Sequence, residues 1–342
     1  MADESPTYPL IEAAIRLSRL PRLWTITIVA VVLLLLLILM AYLDGVLATL
    51  FEWSELRYLL FFIVFITYIL LVHPFMVRSR EQAVLAFKPL LSLEDDAFNK
   101  VAANISKPRR RSEWIAIFLG IAIFWGGIFQ PWTVDWVSGN FWLTVYFVIT
   151  AAIIYGLIGW LVYDTLIGIV RVSRLSRYGL KLDILDTEML APIARWSLGI
   201  SLVFVGLLIL SIIVMWEIML DWRTITGYVI WICVTLLIFF LSMRSAHRAM
   251  SEAKKHKLRL ARKQLVVFSR ELEDRVAQGQ LTGMSDLSST ITAWVTYEKR
   301  VKEAPTWPFN ANIIRRLAMS VVVPAAVYLI KIISQFLVKF GI

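Results

Sequence analysis

The chain has 342 residues, of which 59% are hydrophobic and only 18% are charged. This is more apolar surface than one soluble core needs, and it lies in long blocks, so the composition predicts an all-α, polytopic transmembrane helix bundle. The net charge of +10 would suit a nucleic-acid partner, but the distribution of that charge argues against one. All but four of the 35 Lys and Arg residues fall on one side of the predicted topology. The exceptions are Arg57, Arg223, Lys331 and Lys339.

That asymmetry is typical of the cytoplasmic side of a plasma (inner) membrane protein, and it makes anionic membrane lipids the expected partner. It also places the N-terminus in the cytoplasm. Residues 1–22 are predicted to form an interfacial amphipathic helix that ends at Pro21, with a frayed tail as the alternative. The two faces of this helix are Glu12, Arg16 and Arg19 on the polar side, and Leu10, Ala14 and Leu17 on the apolar side.

Residues 23–243 are predicted to form a bundle of six transmembrane spans. Turn residues separate the spans, and the second is expected to end at His73-Pro74 because proline cannot continue the hydrogen-bonded helix. The predicted spans are Leu23–Leu43, Tyr58–Val77, Trp114–Phe129, Phe141–Ile169, Trp196–Leu220 and Thr224–Met243. The minimal link Asp221–Arg223 predicts that the fifth and sixth spans are antiparallel neighbours.

Small residues recur in the third and fourth spans and predict that these two helices pack closely, because small side chains let helix backbones approach each other in lipid. The third span contributes Ala122 and Gly126. The fourth contributes Ala152, Gly156 and Gly159.

Residues 244–311 are predicted to form a cytoplasmic helical hairpin. The sixth span meets Arg244 and many further basic residues without any Pro or Gly to stop it, so one continuous helix is expected to leave the membrane. Its apolar positions are spaced by three and four residues, too briefly to diagnose a coiled coil. They are Leu258, Ala261, Leu265, Phe268 and Leu272, and the facing positions of the second helix are Leu287, Ile291, Trp294 and Val301. A homo-oligomeric seam is the competing use of the same residues.

Residues 312–342 are predicted to form a C-terminal hydrophobic helix, which Pro305 and Pro308 direct back to the membrane. A seventh span is favoured over an interfacial or re-entrant helix. In a seventh span, Lys331 would lie within the bilayer and would need a water path or an acidic partner, for which Glu217 is the nearest candidate by depth.

No motif in the sequence carries specific chemistry, so no catalytic, cofactor-binding or metal-binding residue is assigned and no enzymatic activity is expected. His73 is interpreted as a helix-end residue at the membrane interface. The candidate functional residues are Lys331, Glu217 and Asp164. A lipid-facing basic cluster is formed by Lys107, Arg109, Arg110 and Arg111, for which a ligand or a phosphorylated partner is the alternative.

Two segments, KLDILDTEMLAPIARWSLGISLVF and EAPTWPFNANIIRRLAMSVVVPAAVYLI, resemble segments of uncharacterised multi-spanning membrane proteins of bacteria. The resemblance implies a prokaryotic plasma-membrane setting and no particular activity.

The first functional hypothesis is a non-enzymatic subunit that couples the transmembrane bundle to the cytoplasmic hairpin, in signalling or as a scaffold, with a homo-oligomer or a protein partner held through the hairpin. A homo-oligomeric ion or small-solute channel is the alternative. An enzyme acting on lipid is a third reading, supported by the interfacial helices alone.

Overall fold

In the computed structural model, the residues described are 10–50, 53–91, 95–99, 110–123, 139–175, 191–214, 222–279, 284–307 and the single positions 315, 319, 322, 326 and 330. These ranges are helical almost throughout; residues 95–99 are a short helical stretch, and nine further α-helices are numbered here. The helices are α1 Leu10–Leu17, α2 Arg22–Leu43, α3 Leu47–Leu50, α4 Trp53–Ala86, α5 Arg110–Ile123, α6 Phe141–Leu175, α7 Ala191–Val214, α8 Trp222–Ala277 and α9 Met284–Glu303.

Five helices are long and apolar enough to cross a membrane, and they make this an all-helical membrane protein. They are α2, α4, α6, α7 and α8, and they coincide with the predicted first, second, fourth, fifth and sixth spans. The described part of α5 has 14 residues, and the rest of the predicted third span lies outside the described residues. Five positions of the predicted C-terminal hydrophobic helix are described, and all five are helical.

The expectation that α4 ends at His73-Pro74 is wrong, because α4 continues through Pro74 to Ala86. A proline inside a helix removes the amide that would donate to the carbonyl four residues earlier, here Leu70. Arg22 supplies the missing donor: its Nη2 lies 3.0 Å from the carbonyl oxygen of Leu70. A side chain from α2 therefore donates the hydrogen bond that Pro74 cannot donate within α4.

Helices α5 and α6 approach each other at backbone distance. A Cβ atom added to Gly159 would lie 2.5 Å from the carbonyl oxygen of Ala116 and 2.9 Å from the Cα of Gly120. A Cβ added to Gly120 would meet the carbonyl oxygen of Tyr155 in turn. The predicted packing of these two helices is therefore present, and Gly159 takes part in it as expected.

The residue predicted on the α5 side is different. Ala122 is exposed, and Gly120 with Ala116 occupies the contact instead, because the packed face of α5 lies one half-turn earlier. Gly126 lies outside the described residues.

Helices α7 and α8 run antiparallel. Near one end of the pair, Ser197 Oγ donates to the carbonyl oxygen of Phe239 at 3.1 Å and contacts Ser242 Oγ. Further along, Trp231 Nε1 donates to the carbonyl oxygen of Phe204 at 3.0 Å. The contacts pair rising residue numbers on α7 with falling residue numbers on α8. The two helices are therefore antiparallel, as the short link between them predicts.

Helix α8 continues without a break for 56 residues, about 84 Å at 1.5 Å per residue, and its distal half packs against α9. The two helices are antiparallel: Lys254 Nζ donates to the carbonyl oxygens of Lys302 and Ala304, and Arg262 pairs with Glu298 further along. Ala261 and Val301 are completely buried between them. The predicted apolar seam is thus occupied within one chain.

The carboxylate of Glu298 joins the two helices. It pairs with Arg262 at 3.1 Å and with Lys302 at 3.0 Å, and hydrogen bonds from these two cations hold the pKa of Glu298 below its ordinary value. A carboxyl group of this kind stabilises the fold above its ordinary pKa, and that contribution is lost as the pH falls through the lowered value.

We therefore expect amides of α9 to exchange faster with solvent at about pH 3 than at about pH 6, and Glu298→Gln to reduce this acid dependence. Hydrogen–deuterium exchange, corrected for intrinsic rates, measures it. Glu252→Gln is the matched control, because Glu252 pairs with Arg248 on the same helix and joins nothing across the pair. Equal acid dependence in Glu298→Gln and in the wild type would contradict the assignment.

At the opposite end of the bundle, Asp44 caps a helix that begins almost one hundred residues later. Its two carboxylate oxygens accept the backbone N–H groups of Trp142, at 3.2 Å, and Leu143, at 2.8 Å, in the first turn of α6. These N–H groups have no partner within their own helix, and the carboxylate also complements the helix dipole.

Asp44→Ala is expected to destabilise the protein by about 1 kcal/mol. Thermal unfolding in detergent or lipid nanodiscs would measure the loss. Asp95→Ala serves as the control, because Asp95 is largely exposed and takes part in a surface ion pair with Lys88, which contributes little to stability. A loss no larger than that of the control would show that the cap is unimportant.

Candidate functional site: a buried polar cluster and a tryptophan contact

The short helix α1 is held against one end of the bundle by its own first turn. The backbone N–H of Leu10 donates to Glu113 Oε2 of α5 at 2.9 Å, so a carboxylate from another helix caps α1. Ile11 packs on the main hydrophobic core. Glu12 contacts Arg22 at 3.4 Å and faces the bundle. The ionic partner of Glu12 thus lies at the start of α2.

His73 lies beneath α1 and is completely buried. Its ring packs on the indole of Trp160, with ring centroids 4.7 Å apart. Its Nδ1 lies 3.7 Å from Glu12 Oε2, and among the described residues neither ring nitrogen has a hydrogen-bond partner. The interpretation of His73 as an interfacial helix-end residue is wrong, because α4 continues beyond Pro74 and α1 covers this turn.

Asp164, one of the predicted candidate residues, pairs with Arg80 of α4. Arg80 Nη1 lies 3.0 Å from Asp164 Oδ1, and both side chains are mostly buried. The arginine reaches Asp164 by crossing α6 at Gly168, where an added Cβ would lie 3.1 Å from Nη1. A residue larger than glycine at position 168 would therefore displace the arginine.

We call these groups together the polar cluster; its members are Glu12, Arg22, His73, Arg80, Glu113, Trp160 and Asp164. Five helices contribute to it, at the end of the bundle where α2 and α5 begin. Three carboxylates face two guanidinium groups and one imidazole. Charged groups packed at the end of a membrane bundle are costly unless they are paired, and most of these are. Among the residues that the structure describes, no group of three or more His, Cys, Asp and Glu is placed to hold a metal ion.

Of the other predicted candidate residues, only Arg110 and Arg111 are among the described residues. Lys331, Glu217, Lys107 and Arg109 lie outside the described residues. Arg110 and Arg111 are exposed at the start of α5, and the charge of Arg110 acts on Glu113. The sequence alone did not show that five of these residues belong to one site: Glu12, Arg22, His73, Arg80 and Glu113. The one indication of the site in the sequence was Pro74, a proline inside an apolar helix.

A second feature connects the helix pair to the bundle, and we call it the Trp307 contact; its residues are Phe240, His247 and Trp307. The imidazole of His247 stacks on the indole of Trp307 with centroids 4.0 Å apart, and Phe240 meets the same indole edge-on. His247 Nδ1 also lies 2.8 Å from the carbonyl oxygen of Thr306. Trp307 packs on the apolar cluster formed by the start of α7 and the middle of α8.

The helices define the class of protein: an all-helical membrane protein with five helices long and apolar enough to cross a membrane, the longest of which packs along α9. Comparisons with known proteins find no matching family model, no similar curated protein and no similar solved structure.

Proposed function

We propose that the protein is a non-enzymatic membrane subunit that couples its transmembrane bundle to a cytoplasmic helical hairpin, in signalling or as a docking scaffold. The observation that carries this proposal is the unbroken helix α8. A bilayer core of about 30 Å accounts for less than half of its length of about 84 Å, so the remainder projects from the membrane. A continuous helix transmits a tilt or rotation from one end to the other.

The Trp307 contact supports the coupling. It ties the end of α9 back to α8 and to the start of α7, so the helix pair is attached to the bundle at two places. Lys254 strengthens the same region, because its ammonium group donates to carbonyl oxygens at the C-terminal end of α9, where positive charge is favourable. A displacement of the pair is thereby transmitted to α7 as well as to α8.

The proposed orientation follows from the distribution of Lys and Arg. It places the bundle in the plasma (inner) membrane, with the N-terminus and the helix pair in the cytoplasm and the polar cluster at the cytoplasmic end of the bundle. Six spans are proposed in residues 23–243 and a seventh after residue 312. Anionic lipids would contact the basic residues of that side, including Arg110 and Arg111.

The mass of the protein in lipid nanodiscs, measured with whatever chain co-purifies, tests the function. We expect a monomer or a complex with a different protein held by exposed apolar residues of the helix pair, and we expect Leu260→Lys with Val267→Lys to release that protein. These side chains are 45% and 50% exposed. Leu17→Lys is the control, because Leu17 is exposed on α1, away from the pair. A symmetric homo-oligomer that conducts ions would contradict the proposal and favour the channel.

A further inference from the structure

His73 combines complete burial with two ring nitrogens that have no hydrogen-bond partner among the described residues. Buried polar groups in native proteins are nearly always hydrogen-bonded, and an unpartnered one points to a role or a missing ligand. Among the described residues, no group of three or more His, Cys, Asp and Glu is placed to hold a metal ion here. An imidazole can itself bind a proton.

The charges around the ring come from every helix packed against it. Glu12 of α1, Arg22 of α2, Arg80 on the same helix and Asp164 of α6 all act on the imidazole. Glu113 of α5 belongs to the same cluster, and both Asp164 and the exposed Arg110 act on it. Around the imidazole itself, the carboxylates of Glu12 and Asp164 face the guanidinium groups of Arg22 and Arg80.

We propose that the polar cluster is a proton-binding site, in which His73 takes up a proton from water and the resulting imidazolium fixes α1 on the end of the bundle. The imidazole lone pair accepts the proton, and no other bond forms or breaks. Both ring nitrogens then carry hydrogen, and the Nδ1–H group is directed at Glu12 Oε2. The distance of 3.7 Å between these atoms shortens to that of a charge-assisted hydrogen bond.

The geometry of Glu12 explains why α1 would respond. Its Oε2 lies 3.4 Å from Arg22 Nη1 and 3.7 Å from His73 Nδ1, so neither contact is a short ion pair. Arg22 is also committed to the carbonyl oxygen of Leu70, which Pro74 leaves without its helical donor. A protonated His73 provides Glu12 with a second cationic partner, which does not also hold the carbonyl oxygen of Leu70 as Arg22 does. This acid-dependent attachment of α1 goes beyond the coupling role proposed above.

Nitrogen NMR of the isotope-labelled imidazoles in nanodiscs tests proton binding directly. The chain has 3 histidines, and His73→Gln identifies the signal of His73 by its loss. We expect that signal to report proton uptake as the pH is lowered from about 7 to about 3. Glu12→Gln should move the midpoint to lower pH by about one unit, because the carboxylate that favours the imidazolium is gone. Glu298→Gln, which removes a distant carboxylate on α9, should leave it unchanged. If His73→Gln does not fold, the displacement in Glu12→Gln identifies the signal.

The attachment of α1 is read from spin labels at Leu17→Cys and Arg174→Cys, both exposed positions, in a Cys233→Ala background. The distance distribution should be narrower at about pH 4 than at about pH 7, and Glu12→Gln should remove the difference. A neutral His73 throughout the titration would overturn the proton site. A normal titration with no change in the distribution would overturn the effect on α1.

Discussion

Trp307→Ala is expected to release the end of α9 from the bundle while leaving the bundle and the core between α8 and α9 folded. The indole stacks on His247 at 4.0 Å, meets Phe240 and covers the apolar cluster at the start of α7. Truncating a fully buried tryptophan costs about 3–5 kcal/mol; Trp307 is half-buried, so we expect roughly 2–3 kcal/mol. That loss falls on the attachment, because the core between α8 and α9 is formed by other residues, such as Ala261 and Val301.

Hydrogen–deuterium exchange is the measurement for this variant. Amides near residues 244–250 and 300–306 should exchange ten-fold faster or more, since each 1.4 kcal/mol of local stability is about a factor of ten. Trp114→Ala is the matched control, because Trp114 is half exposed on α5 and contacts Phe118 of its own helix. Unchanged exchange at both segments would show that Trp307 does not attach the pair.

Gly159→Ala and Gly120→Ala are expected to separate α5 from α6. In each case the new Cβ would lie within 2.5 Å of a backbone carbonyl oxygen, and a backbone atom cannot move aside as the end of a flexible side chain can. The helices must shift apart, which costs roughly 1–3 kcal/mol for overpacking and also weakens the contact that depends on their close approach. Because α5 carries Glu113, the cap on α1 should loosen as well.

Thermal unfolding in nanodiscs measures the first effect, and exchange of the amides of α1 measures the second. Gly139→Ala is the control, because no atom of the described residues lies within 4 Å of a Cβ at that position and its backbone is not in the left-handed region. Gly156→Ala provides an intermediate case, since its nearest atom is a side-chain methyl of Ile117 at 3.1 Å. Equal stability of Gly159→Ala and Gly139→Ala would show that the approach of the two backbones is unimportant.

Much of the fold could be predicted from the sequence because each membrane-spanning helix is specified by the residues of its own segment. A run of about twenty apolar residues specifies a span wherever it occurs, and the absence of Pro and Gly after Met243 specifies the continuous helix α8. The antiparallel order of α7 and α8 follows from the length of their link. Each of these features depends on neighbouring residues.

The polar cluster could not be predicted in this way, because its partners are far apart in the sequence. Arg22 and Leu70 are separated by 48 positions, and Leu10 and Glu113 by 103. The general rule that proline ends a helix failed at Pro74 because a distant arginine supplies the missing donor. His73 and Arg80 lie within α4 and Asp164 lies within α6, and only the packed bundle shows that these positions meet.

The continuity of α8 from membrane to helix pair is tested most directly by one distance. Electron spin resonance between labels at Cys233, the single and exposed native cysteine, and at Val267→Cys, 50% exposed, would measure it in nanodiscs. An unbroken helix gives a narrow distribution near about 51 Å at about 1.5 Å per residue. A broad distribution centred below about 40 Å would mean that α8 bends where it leaves the membrane, and it would contradict a rigid connection between the two units.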